Sequence, residues 1–313
     1  MAWLTSDLLA DVRRRAMLPT TSTLGLADAD ILEHANNEMA TRLVPLVTSV
    51  NEEFYVQTID VTLVAGQGAY RIPNRSAGGK LRDVTYLLGS SVLNLARIEP
   101  EQLTQFASSA TGTPSAFYME AGTVNLVPVP AGGGTLRMKF FVRPGRFTAT
   151  ATDYGVITAV TINSVSASSG VFTGTFSGSL TASGTFDVIA FRPPFEYLAL
   201  NAAGFTFSAP NIALVATPAT SSTLSLNIAS GDYITKPDLS PVIQLPVELH
   251  SLLVQRTVCA IMETFNYGER LAAAEAAYVR MEEAALKLIT PRVDGAPRKM
   301  RGVLNLMGRM GPR

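Results

Sequence analysis

Few side chains in this sequence could support catalysis or bind a metal ion. The 313 residues contain two histidines, His34 and His250, and a single cysteine, Cys259. Neither histidine belongs to an HExxH or HxxE pattern or accompanies a nucleophile motif. One cysteine can form neither an intramolecular disulfide nor a cysteine-based zinc site. We therefore expect all three to be packing residues, and we predict no catalytic, cofactor or metal site.

The glycine clusters do not suggest nucleotide binding. Gly66-Gln67-Gly68 and Gly132-Gly133-Gly134 lie between predicted strands. Neither is followed by the lysine, the Ser/Thr and the helix that a phosphate-binding loop requires, so both are interpreted as hairpin turns. The sequence also lacks GxSxG and paired-carboxylate motifs. An enzyme such as a peptidoglycan hydrolase is therefore disfavoured, and we expect a protein without enzymatic activity.

Charge is scarce and unevenly distributed. Lysine and arginine number 25, aspartate and glutamate number 25, and charged residues make up only 16% of the chain. This balance argues against a broad nucleic-acid-coating surface, and weak self-repulsion favours association. Residues 291–313 carry six basic residues and one acidic residue, a net charge of +5, so the remainder carries −5. The neutral total hides a basic C-terminal segment.

No segment suggests a membrane protein. The N-terminus has no basic region followed by an apolar stretch, so it does not resemble a secretory signal. No window approaches the roughly 20 continuous apolar residues of a membrane span. We expect no membrane partner.

The first predicted region, residues 1–53, is helical. Thr5 or Ser6 is predicted to cap a first helix, and Asp30 a second one, with Glu33 at capping-box spacing. A basic run, Arg13-Arg14-Arg15, lies at the end of the first helix. It either complements the helix dipole, which we favour, or contacts an acidic partner or passing DNA.

A change from helical to twofold periodicity predicts a β-rich region over residues 54–149. Turn signals divide it into short strands. The predicted strands are 54–64, 70–72, 81–88, 117–120, 124–127 and 135–142. A short helix over 101–106, with Pro100 at its first position, interrupts this meander.

Residues 150–245 differ in composition from their surroundings. They hold only seven charged residues and are rich in Ser, Thr, Gly and Ala, with short apolar runs between turn signals. This pattern predicts an inserted β module, a small sandwich or open barrel. A disordered linker is the alternative, which the recurring Val, Ile and Phe residues disfavour.

Helical periodicity returns over residues 246–290. Asn266-Tyr267-Gly268 is predicted to separate two helices. Apolar residues of the second helix recur at spacings of three and four, which predicts a seam for packing against other helices. The seam comprises Leu271, Ala274, Tyr278, Met281, Ala285 and Leu288. The predicted fold class is α+β, a bundle of N- and C-terminal helices from which the β regions project.

The last 23 residues form a predicted arm. Prolines and glycines within 291–313 prevent a long helix, yet apolar side chains alternate with basic ones. A segment that only increased solubility would not need apolar residues such as Val303, Leu304 and Met310. We expect the arm to become ordered on a partner.

The order of several turn and packing motifs resembles the head-to-tail connector, or adaptor, proteins of tailed bacteriophages. The resemblance covers most of the chain and is weaker between 150 and 235. The early motifs include Gly66-Gln67-Gly68-Ala69-Tyr70-Arg71-Ile72-Pro73, Gly112-Thr113-Pro114 and Phe141-Val142-Arg143-Pro144-Gly145-Arg146. The late motifs include Pro246-Val247-Glu248-Leu249-His250 and residues 289–295.

This resemblance implies a structural protein of the virion, made in the host cytoplasm and located at the head–tail junction. Such adaptors form a twelve-subunit ring beneath the portal protein, extend the DNA channel and present a surface to a tail or nozzle protein. Genomic DNA would pass through without sequence-specific binding. The arm would dock onto the portal. The implied contact residues are Arg292, Arg298, Lys299, Arg301, Leu304, Leu306, Met307, Arg309 and Arg313.

The alternative function is a host- or carbohydrate-binding tail protein that acts through residues 150–235. Exposed aromatic rings could stack on sugars there, although burial within the module would prevent this. The candidate rings are Phe172, Phe176, Tyr197 and Phe205.

Overall fold

The protein has a mixed α+β fold, which confirms the predicted class. A computed structural model describes residues 3–18, 26–105, 111–166, 169–180, 185–191, 197–202, 205–208, 211–215, 228–266 and 268–289. The described helices are α1 (Thr5–Ala16), α2 (Asp28–Glu38), α3 (Val44–Val50), α4 (His250–Thr264) and α5 (Gly268–Ile289). A π-helical turn, Met39–Leu43, joins α2 to α3, and 3₁₀ turns occupy Glu52–Tyr55, Pro100–Gln105 and Val247–Leu249.

The helix starts differ from the predicted caps. The Asp7 carboxylate accepts a hydrogen bond from the backbone N–H of Leu4, and Asp30 accepts one from Ala27, both at 3.0 Å. Both aspartates occupy the third helical position, where a carboxylate can reach back to the residue before the helix. The Thr5 hydroxyl instead donates to the carbonyl of Thr148. Thr5, Ser6 and Asp30 are therefore not N-caps.

Helices from both ends of the chain share one hydrophobic core. α1 and α2 pack against α4, which also packs against α5. α4 lies at the centre of this core, because most of its side chains are buried. Its buried residues include Leu252, Leu253, Val254, Val258, Cys259 and Ile261. The N-terminal helices therefore depend on a helix more than 200 residues later in the sequence.

The β-rich region forms two four-stranded sheets that enclose a second core. Its strands are β1 (Val56–Thr62), β2 (Ala69–Arg71), β3 (Ser76–Leu88), β4 (Ser91–Asn94), β5 (Ala96–Arg97), β6 (Thr111–Gly112), β7 (Ala116–Glu120), β8 (Thr123–Val127), β9 (Val129–Pro130), β10 (Thr135–Val142) and β11 (Arg146–Phe147). The sheet orders are β1-β10-β3-β4 and β2-β8-β7-β5, and β6 pairs with β9. Val84, Leu136 and Met138 lie in the core with residues of the other sheet, such as Phe117 and Val124.

The region predicted as an inserted module is one seven-stranded antiparallel sheet. Its strands are β12 (Tyr154–Ser166), β13 (Ser169–Gly178), β14 (Phe186–Ile189), β15 (Tyr197–Ala202), β16 (Phe205–Ser208), β17 (Asn211–Val215) and β18 (Tyr233–Thr235). The order is β15-β14-β18-β12-β13-β17-β16. β19 (Leu239–Ser240) pairs with β11 instead.

This sheet must curl. β15 and β16 are its two edges, yet only residues 203–204 separate them in the chain. Consecutive Cα atoms are about 3.8 Å apart, so the Cα atoms of Ala202 and Phe205 can be at most about 11 Å from each other. The described strands form a continuous ladder that does not close, so the two facing sheets of a sandwich are not seen.

The two faces of the curled sheet have different neighbours. Ile157, Val188 and Ile234 belong to a core formed only within this sheet and its connections. Ile189 and Tyr233, on neighbouring strands, belong to the helical core. Successive side chains along a strand point to opposite faces of the sheet. One face therefore forms the sheet's own core, and the other packs against the helices.

Candidate partner-binding surfaces

The residues predicted to contact the portal lie outside the described residues. These are Arg292, Arg298, Lys299, Arg301, Leu304, Leu306, Met307, Arg309 and Arg313. The described chain ends with α5, at Ile289. The geometry of that helix therefore determines where the predicted arm starts.

The predicted seam of α5 is correct except at its end. Ala274, Tyr278 and Ala285 are buried, and Leu271 and Met281 pack partly buried against the helical core. Leu288 is 71% exposed, so it does not belong to the seam. The next residue, Ile289, packs partly buried against the helical core, so the last turn of α5 still lies on that core.

A buried ion pair fixes α5 to the N-terminal helices. Arg256 of α4 donates from Nε to the Glu38 carboxylate at 2.8 Å, and both side chains are largely buried. The Arg256 guanidinium also lies 5.6 Å from the ring centroid of Tyr278 in α5. Burial, with Glu282 nearby, raises the pKa of Tyr278 to about 12. One cation thus links α2, α4 and α5.

The basic run at the end of α1 makes contacts within the chain. Arg13 donates to Asp28 from Nε and Nη2, at 3.0 and 2.6 Å. Arg14 pairs with Asp11 at 2.6 Å, and Arg15 donates to the carbonyl of Ser251. These pairs agree with a structural role, which we favoured over a contact with DNA or an acidic partner.

The two histidines and the cysteine occupy packing positions. His250 is buried, its ring stacks on Trp3 at 4.8 Å, and its Nε2 lies 3.1 Å from the Leu245 carbonyl oxygen. Burial lowers the pKa of His250, which favours the neutral ring. Burial raises the pKa of the Cys259 thiol, which disfavours the nucleophilic thiolate. His34 lies half-buried on α2.

Within the described residues, no group of three or more His, Cys, Asp and Glu side chains could hold a metal ion. Among the described helices, none combines the length and apolar character needed to cross a bilayer.

The main buried polar feature is a cluster around Arg75, whose residues were not predicted together from the sequence. Arg75, just before β3, is 2% exposed and lies 3.8 Å from the fully buried carboxylate of Asp187 in β14. Its guanidinium also donates to Asp238 and to the hydroxyl of Tyr197. Burial acts to lower the pKa of Arg75, but these anionic and polar neighbours raise it overall. The cation is therefore permanently charged.

Hydrogen bonds extend this cluster to a neighbouring loop. The amide oxygen of Gln244 accepts from the backbone N–H of Gly145 and from the Tyr197 hydroxyl, both at 2.8 Å. Burial raises the pKa of Tyr197 to about 12, so its hydroxyl remains a donor. The cluster joins β14, β15, the start of β3 and the segments around Gly145 and Gln244.

A surface groove of about 670 Å³ lies beside this cluster. Its wall is formed by the π-helical turn after α2, the start of β3 and the loop before β11. The lining residues that carry charge are Arg75, Arg143, Arg146 and Asp238. Met39, Val44 and Pro144 supply apolar surface. A groove with excess positive charge and an apolar base fits an acidic segment that also carries an apolar side chain.

The sequence contained one signal for this cluster. Asp187 interrupts the apolar run Phe186-Asp187-Val188-Ile189, and a carboxylate within a buried strand requires a partner. The identity of that partner depends on the fold, because Arg75 is 112 residues away.

Two of the four aromatic residues proposed for sugar stacking are buried. Phe176 and Tyr197 are each 4% exposed. The side chains of Phe172 and Phe205 lie outside the described ones. The structure therefore gives no support to the carbohydrate-binding alternative.

Comparison with known proteins agrees with the resemblance found in the sequence. The family model of the SU10 adaptor protein matches residues 5–165, about half of the chain. No curated protein matches the chain significantly.

Proposed function

Because the chain belongs to the SU10 adaptor protein family, a family of phage head-to-tail adaptors, we propose that it forms a ring beneath the portal protein and joins the capsid to the tail. The family is structural rather than enzymatic, and its members are components of the virion.

The proposed assembly contains twelve copies and extends the DNA channel at the head–tail junction. Its partners are the portal protein above, a tail or nozzle protein below, and genomic DNA that passes through without sequence-specific binding. The observation that carries this proposal is the family match over residues 5–165. The shared helical core supports it, because a rigid base formed by both ends of the chain suits a ring subunit.

The proposed portal contact is the basic and apolar segment after α5. Arg256 and Tyr278 hold α5 on the core, so the segment starts from a fixed position. Its net charge of +5 and its apolar residues fit a partner surface that is acidic and apolar. The contact residues are those named above, from Arg292 to Arg313.

Truncation after Thr290 tests this contact. The truncated and full-length chains are each mixed with purified portal protein, and the complexes are examined by native mass spectrometry and electron microscopy. We expect the truncated chain to fold, as judged by the fluorescence of Trp3, but to lose portal binding. Equal portal binding by both chains would show that the arm is dispensable. Failure of the full-length chain to form a ring with portal would refute the proposed function.

A further inference from the structure

We propose that adjacent copies in the ring contact each other through two different surfaces. The groove beside Arg75 of one copy receives the turn between α4 and α5 of the next copy. This inference rests on the proposed ring and names the surfaces that would form it.

The groove has a small excess of positive charge. The charge of Arg75 is offset by the buried Asp187, so Arg143 and Arg146 line the groove against one aspartate, Asp238, a net charge of +1. Arg143 is mostly exposed, and its ion pair with Asp238 spans 3.8 Å. Arg146 is exposed, and no acidic side chain in the described part of the chain pairs with it. The Nε of Arg75, itself 98% buried, has no hydrogen-bond partner. The groove therefore favours an acidic occupant.

The base of the groove is apolar and is shaped by irregular backbone. Met39 and Ala40 belong to the π-helical turn, and Val44 follows it at the start of α3. Such turns within helices often occur at functional sites. Ala77 and Pro144 line the groove nearby. An apolar side chain of the occupant would therefore be buried between these residues.

The turn between α4 and α5 has the complementary character. Glu263, at the end of α4, and Glu269, at the start of α5, are exposed, and no ion pair joins either to a described cation. Phe265 lies between them and is 42% exposed. With Arg270 included, residues 263–270 have a net charge of −1. An aromatic ring flanked by carboxylates is the kind of element that the groove favours.

The occupant is a second copy rather than the arm of the same chain. The arm carries a net charge of +5, which the arginines of the groove would repel. Groove and turn are exposed together on one chain, so each copy can offer its turn to one neighbour and its groove to another. Contacts between two different surfaces form rings when the rotation between copies closes.

Disulfide cross-linking in assembled particles tests this contact. Ala77→Cys places a thiol in the groove, and Glu269→Cys places one at the turn. The native Cys259 is buried and does not interfere. The matched control replaces Ala77→Cys with Arg71→Cys, at an exposed position of β2, and keeps Glu269→Cys. We expect a ladder of covalent oligomers on a non-reducing gel for the first pair and monomers for the control.

Each other outcome contradicts the inference. Dimers alone would indicate contact between identical surfaces. Monomers from particles whose ring is visible by electron microscopy would refute the contact but leave the proposed function intact. Particles without any ring would refute both.

Charge reversal provides a second test that does not depend on disulfide geometry. Arg146→Glu should reduce association between copies on the order of tenfold, because the attraction between Arg146 and Glu269 of the next copy becomes a repulsion. Adding Glu269→Arg to the same chain should restore association. Arg71→Glu is the control and should have no effect. If Arg146→Glu associates normally, or if the double variant is not restored while its Trp3 fluorescence remains native, the groove is not the contact surface.

Discussion

Replacement of Arg75 by methionine should strongly destabilise the protein. Methionine keeps much of the side-chain volume but removes the cation that faces Asp187. That carboxylate is fully buried, and its distance to Arg75 is 3.8 Å. Removing a cation that faces a buried carboxylate is costly, because the desolvation of Asp187 is then less fully offset. The variant therefore tests whether burial, rather than hydrogen-bond geometry, determines how much this ion pair contributes to the free energy of unfolding.

The expected magnitude follows from the exposure of each group. Loss of one partner from a buried pair costs about 3–5 kcal/mol. The Arg75 guanidinium lies 5.0 Å from the ring centroid of Tyr197, which adds about 1 kcal/mol. Asp238 is 55% exposed, so its carboxylate returns to water at little cost. We expect a loss of about 4 kcal/mol in the free energy of unfolding.

The control is an ion pair with better geometry but greater exposure. Arg137 donates two hydrogen bonds of 2.8 Å to Asp60, with 39% and 19% of the two side chains exposed. Arg137→Met should therefore cost about 1 kcal/mol or less. Both variants are unfolded in urea and monitored by the fluorescence of Trp3 and by circular dichroism. A cost for Arg75→Met no larger than that for Arg137→Met would refute the reasoning.

A double variant keeps the test informative if Arg75→Met is too unstable to purify. Adding Asp187→Asn removes the buried negative charge and retains an oxygen for the backbone N–H of Asp238, which lies 3.2 Å from the carboxylate in the natural chain. Replacing both members of a buried pair is much less costly than removing one. We expect the double variant to recover at least half of the lost stability. A double variant as unstable as the single one would show that Asp187 is not the source of the cost.

Three further predictions concern packing and titration. Leu253→Ala should cost about 2–5 kcal/mol in urea unfolding, and Leu288→Ala less than about 0.5, because only the first removes buried methyl groups. Gly174→Ala should cost at least about 1–3 kcal/mol in the same assay, because the new Cβ would overlap the backbone carbonyl oxygen of Ala159 in the neighbouring strand. The pKa of His250 is lowered by burial, so its contribution to stability is complete above about pH 6.5 and is lost as the pH falls. Unfolding midpoints at pH 7.5 and 5.5 should differ less for His250→Gln than for the natural chain, and an equal difference in both would contradict this prediction.

The local structure was largely predictable from the sequence. The predicted strand 135–142 coincides with β10, because Leu136, Met138 and Phe140 alternate towards the core. The break between α4 and α5 also lies where Asn266 and Gly268 predict it. Helix starts were less predictable. The Thr5 hydroxyl donates to a carbonyl 143 residues away, so it is Asp7 that accepts the hydrogen bond from the backbone N–H before the helix.

The long-range arrangement was not predictable, because many pairings satisfy the same local pattern. β14 pairs with β18, which lies more than 40 residues later, and both are short apolar strands like their neighbours. The same limit applies to the groove, whose charged residues, such as Arg75, Arg146 and Asp238, come from separate segments. The division of the chain at residues 150 and 245 and the role of the arm stay predictions.

The part of the chain that matches the family model is not a self-sufficient folding unit. Residues 5–165 include α1, both four-stranded sheets and β12, but not α4. Leu8 and Ile31 are fully buried in the core that α4 completes, and β12 is held by β18. Removal of the later residues would expose these apolar side chains and both edges of β12, because β13 and β18 would be lost. The helices and sheets of residues 5–165 therefore require the C-terminal helices to bury their apolar side chains. In turn, Glu38 of the matched region holds α5 through its ion pair with Arg256. The position from which the proposed portal-binding arm starts is thus determined by the family region itself.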